Sequence, residues 1–143
     1  MQFTPIGFIH TPYLDKAPRQ PVPDEPGNFH IAMLPEWVEG LYQLDKHAYI
    51  YVLFWLDRQD EPIDMLVTPH HDQAQPVGFF ASRTPKRPNP IGLSLVQLKK
   101  VEDNILFISG IDALDGTPVL DIKPYFQGLD SISASIVSAE DCA

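Results

Sequence analysis

The stretch that decides the fold is ASRTPKRPNPIGLSL, residues 81–95, in which a proline-rich loop runs directly into a β-like segment. Pro85, Pro88 and Pro90 exclude a helix here, because each interior proline costs about 3 kcal/mol or more in a helix. Beyond the loop, apolar side chains nearly alternate with small or polar ones; they are Ile91, Leu93, Leu95 and Leu98. Such alternation predicts a half-buried β-strand.

Short β-like runs separated by prolines continue along the rest of the chain, which contains 15 prolines in 143 residues. This proline content is about twice the usual ~5% and leaves little room for long helices. The runs, such as AYIYVLFWL and NILFISGI, are rich in β-branched and aromatic residues, and Glu102-Asp103-Asn104 predicts a hairpin turn. Only residues 35–44, PEWVEGLYQL, have helical spacing. The sequence therefore predicts an all-β fold, a small antiparallel barrel or sandwich with one short helix.

Composition excludes several classes of protein. A chain of 143 residues suits a single domain, and 44% hydrophobic with 20% charged residues argues against disorder. The single cysteine, Cys142, excludes an internal disulfide framework and a cysteine-based zinc site. The longest apolar stretch is too short to span a bilayer and the N-terminus lacks signal-peptide features, so we expect a cytoplasmic protein without membrane contact. No glycines are spaced as GxG, which excludes the Walker and Rossmann phosphate loops.

Charge is unevenly distributed in this acidic chain, whose formal net charge is -9. No acidic residue occurs from Gln73 to Val101, whereas five basic residues fall there: Arg83, Lys86, Arg87, Lys99 and Lys100. Arg87 and Asn89 each precede a proline, so the loop is stiff and loses little conformational entropy on binding. Because arginine clamps carboxylates and phosphates through paired hydrogen bonds, this basic island favours an anion contact. The alternatives are a solvated basic face and a purely structural loop.

A second polar segment is GIDALDGTPVLDIKPY, residues 110–125. Asp115-Gly116 predicts a tight turn in which the glycine can adopt a positive φ, with Asp112 just before it. If PVLDI forms a strand, Asp121 and Lys123 lie on the same face, either as site residues or as a surface ion pair.

Two further polar clusters fall in predicted loops. Arg19 and Gln20 lie between prolines in APRQP, which is either a simple loop or part of a site. His70, His71 and Asp72 carry metal-ligating groups, but no partners occur at ligand spacing, so we expect no metal.

Five segments carry a resemblance that covers most of the chain: PIGFIHTPY (5–13), APRQP (17–21), YVLFWL (51–56), GFFASRTPKRPNPIGLSLVQL (78–98) and DALDGTPVLDIKPY (112–125). In this order, from about Pro5 to Asp130, they closely resemble the TsaA-like family, also called the TrmO family. The resemblance implies a single β-barrel domain over residues 1–143, with a short tail at 131–143, and a methyltransferase of non-Rossmann type. It also implies S-adenosylmethionine (SAM) as cofactor, a homodimer, and methyl transfer to N6 of threonylcarbamoyladenosine in the tRNA anticodon loop.

The resemblance further assigns site residues. Those implied for SAM are Pro18, Arg19, Gln20, Asp57, Arg58, Arg83, Leu114, Asp115, Gly116 and Thr117. Those implied for the acceptor are Arg87, Asn89, Lys123 and Tyr125. Since the acceptor nitrogen must lose a proton, we expect Asp115 or Asp121 to accept it, and the sequence does not choose between them.

Two other functions stay open at this point. The same cofactor could serve to methylate another nucleotide or a small-molecule acceptor. A non-catalytic barrel could instead bind SAM or a nucleotide as a sensor or partner module. Methyl transfer separates an enzyme from a binding module, and a steep loss of binding with salt identifies contacts to tRNA phosphates.

Overall fold

The computed structural model describes residues 1–69 and 74–136, which contain eight β-strands and one α-helix. The strands are β1 (Gly7–His10), β2 (His30–Met33), β3 (Tyr49–Trp55), β4 (Leu66–Val67), β5 (Val77–Gly78), β6 (Ile91–Glu102), β7 (Ile105–Ile108) and β8 (Thr117–Pro124), and the helix is α1 (Gln127–Asp130). Short 3₁₀ segments cover Pro35–Leu41, Leu44–Lys46, Phe79–Ala81 and Ala134–Ile136.

Six of the strands close into a barrel in the order β1-β2-β7-β6-β3-β8, and every neighbouring pair is antiparallel. The predicted small antiparallel β-barrel is therefore confirmed. Its closure is irregular, because the register shifts between Leu53 and Phe54 and between Leu98 and Lys100. β4 and β5 pair only with each other, as a ribbon within the connection from β3 to β6.

The barrel interior is filled by aliphatic side chains from all six strands. They are no more than 1% exposed and include Ile9, Ile31, Val52, Val96, Leu106 and Val119. Each such side chain contributes about 1.5–3 kcal/mol relative to leaving it in water. Because these residues come from strands far apart in sequence, the core holds the barrel closed.

The side chains of β6 that point into the barrel are not the ones that the apolar alternation predicts. The alternation implies that Ile91, Leu93 and Leu95 are the buried set, but these side chains are 36%, 52% and 42% exposed. The inward side chains of this strand are instead Ser94, Val96 and Leu98, of which only Leu98 belongs to the expected set.

The physical reason for this facing lies in the inward position Gly92. It pairs with the buried Phe54 of β3, and the aromatic ring occupies the space that a Cβ at Gly92 would need. The inward side of β6 must therefore be small where it faces Phe54, and the larger side chains fall on the outer face.

The helix predicted at residues 35–44 is a 3₁₀ segment, Pro35–Leu41, rather than an α-helix. Proline suits the first turn, but Gly40 lowers helix propensity by about 1 kcal/mol. Gln43, with φ of 67°, then turns the chain out of the helical region. The α-helix of the described chain is the four-residue α1. No helix within the described residues is long and apolar enough to cross a membrane.

Antiparallel closure brings three connections out at one end of the barrel, which we call the loop end. They are residues 11–29 after β1, 56–90 after β3 and 109–116 after β7. The opposite end carries residues 34–48 and the predicted hairpin turn between β6 and β7, where Asp103 has a φ of 55°. The loop end therefore collects segments that are widely separated in sequence.

Leu98→Ala and Leu95→Ala test the facing of β6 with one substitution at two places on the same strand. Leu98 is 7% exposed, so its truncation should lower the free energy of unfolding by about 2–5 kcal/mol. Leu95 faces outward, so its truncation should cost less than about 1 kcal/mol. Urea unfolding, at concentrations that keep the chain monomeric, measures both; a larger loss at Leu95 would show that the strand faces the other way.

Candidate functional site

The loop end contains the residues that the family resemblance implies for the cofactor. The three connections and the first residue of β8 supply Pro18, Arg19 and Gln20, then Asp57, Arg58 and Arg83, and finally Leu114, Asp115, Gly116 and Thr117. Arg87 and Asn89 lie in the same connection as Arg83. The topology thus places all three sequence motifs at one end of the barrel.

The tight turn predicted at Asp115-Gly116 is present. Gly116 has a φ of 85°, in the left-handed region that strains any side-chain-bearing residue. Thr117 closes the turn, because its N–H and its hydroxyl both donate to the Leu114 carbonyl, at 3.2 and 2.7 Å. The backbone of residues 114–117 is therefore fixed by its own hydrogen bonds.

The end of β1 holds this turn from one side. The Gly116 N–H donates to the Ile9 carbonyl at 2.7 Å. The Asp115 carboxylate accepts from the Thr11 N–H and from His10 Nδ1, each at 3.1 Å. The carboxylate is thus engaged by β1 and the residue that follows it.

A second histidine stacks on the first at this edge. The rings of His10 and His30 have centroids 4.9 Å apart. Burial, and secondarily the neighbouring His10, lower the pKa of His30, an effect that the Asp115 carboxylate reduces. The neutral form of His30 is therefore favoured beside the His10–Asp115 pair.

Arg58, just beyond β3, holds the turn from the other side. Its Nη2 donates to the Asp115 carbonyl at 2.9 Å and to Thr117 Oγ1 at 3.1 Å. Its Nε lies 3.6 Å from Asp57 Oδ1. Arg58 therefore acts in this chain as a clasp between the end of β3 and the start of β8.

Gly110 brings the connection 11–29 against the connection 109–116. The Val22 carbonyl lies where a Cβ at Gly110 would be, so only glycine permits this backbone approach. Arg19 is three positions from Val22 in the same connection. The close crossing keeps the proline-flanked motif at the loop end.

Asp112 is a charged residue at the loop end to which the sequence assigns no role. Its Oδ1 accepts a 2.6 Å hydrogen bond from the hydroxyl of Ser94, a buried residue on the inner side of β6. Burial raises the pKa of the Asp112 carboxyl, while the Ser94 hydroxyl, its own backbone N–H and the charge of Arg83 act in the opposite direction. The signal in the sequence was the polar Ser94 among apolar neighbours in a strand.

Arg87 makes contacts within the proline-rich loop that the sequence predicts to be stiff. Its Nη1 donates to the carbonyls of Ser82 and Thr84, at 2.9 and 3.0 Å, and its guanidinium lies 6.0 Å from the Phe80 ring centroid. One edge of this arginine is thus used within its own loop. Lys86 of the same loop forms an ion pair with Glu61.

The remaining predicted residues lie away from the loop end. Lys123 Nζ is 3.0 Å from Asp121 Oδ2, so the surface ion pair that the sequence left open is formed. Tyr125 follows β8 and its N–H donates to the Tyr49 carbonyl, at the far end of β3. Since a strand advances about 3.3 Å per residue, Tyr125 lies roughly 25 Å along the chain from Thr117. One chain does not bring Lys123 and Tyr125 together with Arg87 and Asn89.

No cluster of three or more metal-ligating side chains occurs among residues 1–69 and 74–136. His70, His71 and Asp72 lie outside the described residues.

Comparison with known proteins gives a family over most of the chain. The profile described as the tRNA-methyltransferase O N-terminal domain (TrmO_N) matches residues 8–131. A "probable S-adenosyl-L-methionine-binding protein" of Archaeoglobus fulgidus is 41% identical over 139 residues, which are 92% of this chain and 36% of that protein. An "S-adenosyl-L-methionine-binding protein" of the same organism is 36% identical, with 93% of this chain and 95% of that protein covered.

An Escherichia coli K12 protein named tRNA (adenine(37)-N6)-methyltransferase is 35% identical over 155 residues, covering 99% of this chain and 66% of that protein. A crystal structure of TrmO from Pseudomonas aeruginosa superposes with a TM-score of 0.77 at 35% identity, covering 94% of this chain and 60% of that one. This chain thus spans less than two thirds of several of its relatives.

Arg58→Ala tests whether the clasp fixes the turn. Losing two hydrogen bonds from a partly exposed guanidinium should lower the free energy of local opening of the turn by about 1–1.5 kcal/mol. The amides of Gly116 and Thr117 should then exchange roughly tenfold faster. Hydrogen exchange followed by NMR measures it, with Lys46→Ala at the opposite end as the control. Unchanged exchange at both amides would mean that the contacts to β1 suffice.

Proposed function

The chain belongs to the TrmO family, and on that premise we propose that it is a SAM-dependent methyltransferase acting on N6 of threonylcarbamoyladenosine beside the tRNA anticodon. The observation that carries the proposal is the convergence of three motif-bearing connections at one end of the barrel. The E. coli relative, by its name, methylates N6 of adenine 37 of tRNA. A tRNA substrate agrees with the cytoplasmic location expected from the sequence.

The residues at the loop end fit the chemistry of SAM. The cofactor carries a carboxylate, which Arg19 and Arg83 can bind through paired hydrogen bonds. Two relatives named for SAM binding support the same cofactor.

The protein's task in this reaction is alignment. SAM, when bound, supplies a methyl group on a sulfonium that leaves readily as a neutral thioether. The fixed turn at residues 114–117 and the stiff proline-rich loop orient the acceptor and exclude water. Because both are held by hydrogen bonds before any ligand binds, little further ordering is needed.

The acceptor carries a threonine carboxylate and lies between phosphates, so it needs cationic and hydrogen-bonding partners. Arg87 and Asn89 present such groups from the stiff loop, the arginine through the edge that its own loop does not use. Lys123 and Tyr125 lie too far along β8 to join them within one chain. A second copy of the chain can supply them.

The outer face of β3 and β6 suits such a second copy. Three cross-strand pairs place apolar side chains on this face: Trp55 with Ile91, Leu53 with Leu93, and Tyr51 with Leu95. Lys123 pairs with Tyr51 at the edge of the same face. If two copies pack here with antiparallel strands, the loop end of each lies over the opposite end of the other, beside its Lys123 and Tyr125. We therefore propose a homodimer.

Leu93→Asp tests the dimer by placing a charge in the centre of this face. A buried, unpaired carboxylate is strongly unfavourable, so the variant should be monomeric at concentrations where the parent chain is a dimer. Analytical ultracentrifugation measures the mass. The control is Leu129→Asp, at a residue of α1 that is 78% exposed. A parent chain that sediments as a monomer, or a dimeric Leu93→Asp variant, would contradict this interface.

Titration calorimetry with SAM, followed by transfer of labelled methyl to tRNA with and without the threonylcarbamoyl group, tests the function. We expect binding, and label only on the modified tRNA. Arg83→Ala should weaken SAM binding at least tenfold, about 1.4 kcal/mol, because it removes a cation from the carboxylate. Lys46→Ala, at the opposite end, controls for the loss of one positive charge.

The outcomes of these assays separate the alternative functions. Label on another nucleotide or a small amine would keep the cofactor site and change the acceptor. SAM binding without transfer to tRNA or to metabolites would favour a sensor or partner module. Absence of SAM binding would refute the proposal as a whole.

A further inference from the structure

We infer that Asp112 accepts the proton that the acceptor nitrogen loses during methyl transfer, an inference that rests on the proposed function. Asp112 lies at the loop end, in the connection 109–116 that also forms the Asp115-Gly116 turn. The sequence had pointed to Asp115 or Asp121 for this role. The contacts of the three carboxylates distinguish them.

Asp115 and Asp121 are engaged elsewhere. The Asp115 carboxylate is turned towards β1, where it accepts hydrogen bonds from His10 and Thr11. Asp121 pairs with Lys123 on the outside of β8 and also accepts from the Ile122 N–H at 2.9 Å. Both carboxylates thus hold the fold or face away from the loop end.

Asp112 is held from inside the barrel, yet it remains partly exposed. Ser94 on the inner face of β6 donates to one oxygen, Oδ1, at 2.6 Å, which fixes the orientation of the carboxylate. Partial exposure at the loop end leaves the group within reach of a bound substrate. A proton acceptor needs this combination of a fixed direction and access.

The electrostatic surroundings favour the same role. Burial raises the pKa of Asp112, which makes the ionised form a stronger base near neutral pH. Two side chains from other elements lower the pKa of Asp112: Ser94 of β6 and Arg83 of the connection 56–90. Asp112 in turn contributes to the raised pKa of Tyr13 in the connection 11–29. The Asp112 carboxylate is therefore a stronger base than an exposed aspartate.

The step balances as a single displacement. The bond from sulfur to the methyl carbon breaks as the bond from the acceptor nitrogen to that carbon forms, and the sulfur leaves neutral. The N–H bond breaks at the same site, its electron pair stays on nitrogen, and the proton passes to an oxygen of Asp112. No further reactant is required.

Asp112→Asn tests the assignment, because asparagine keeps the size of the side chain but cannot take up the proton. With SAM and the modified tRNA, single-turnover transfer should fall at least a hundredfold, while the Kd for SAM by calorimetry changes by less than about threefold. The matched control is Asp103→Asn in the β6–β7 hairpin, which should transfer at the parent rate. Transfer by Asp112→Asn at the parent rate overturns the inference while leaving the proposed function intact.

Ser94→Ala supplies a readout that does not depend on activity. Removing the hydroxyl that stabilises the carboxylate should raise the pKa of Asp112, so its ¹³C carboxyl resonance should titrate at higher pH. The acid limb of the transfer rate should move to higher pH by the same amount. Ser109→Ala, which removes another buried hydroxyl that contacts Gln97 rather than Asp112, should move neither. A carboxyl titration and an acid limb that do not shift together refute the role of Asp112.

A parent chain that binds SAM but transfers no methyl to any acceptor refutes the proposed function, and this inference falls with it. That result is distinguishable from failure of Asp112 alone, in which the parent chain is active and Asp112→Asn is equally active.

Discussion

The hydrogen bonds that fix the Asp115-Gly116 turn are the constraint on which the loop end depends. β8 lies between β1 and β3 in the barrel, and the turn at its start is bound to both neighbours, through His10 and Thr11 on one side and Arg58 on the other. Hydrogen bonds to both neighbouring strands fix the position of this turn relative to the barrel. Asp112 lies three residues before this turn, and its carboxylate is hydrogen-bonded to Ser94 of β6, so its position is fixed as well.

Local signals in the sequence were sufficient to predict the strands and the turns. Proline restricts φ at its own position and the conformation of the residue before it. The backbone of residues 85–90 is therefore restricted by its local sequence, whatever the tertiary contacts of the loop. A glycine after aspartate predicts a turn for the same local reason, and Gly116 has the positive φ that this requires. The strand segments were recognisable because β-branched and aromatic residues are favoured in a sheet.

Features that depend on distant partners could not be predicted from local patterns. An alternating pattern identifies a strand with two different faces, but β6 carries apolar residues on both, and only the Phe54 ring beside Gly92 determines which set faces inward. The bond between Ser94 and Asp112 joins positions 18 apart, and Arg58 reaches Thr117 across 59 positions. Such pairs are set by barrel closure, so the role of Arg58 as a clasp emerges only in three dimensions.

The exposed apolar face and the divided acceptor residues have one explanation under the proposed dimer. Leaving the exposed part of these apolar side chains in water forgoes the free energy that its burial would contribute, about 25 cal/mol per Å² of apolar surface. Covering this face with a second copy recovers that energy. The same packing carries Lys123 and Tyr125 of one chain to the loop end of the other. Association and completion of the acceptor site are then a single event, because an antiparallel barrel places the start and the end of β8 at opposite ends of one chain.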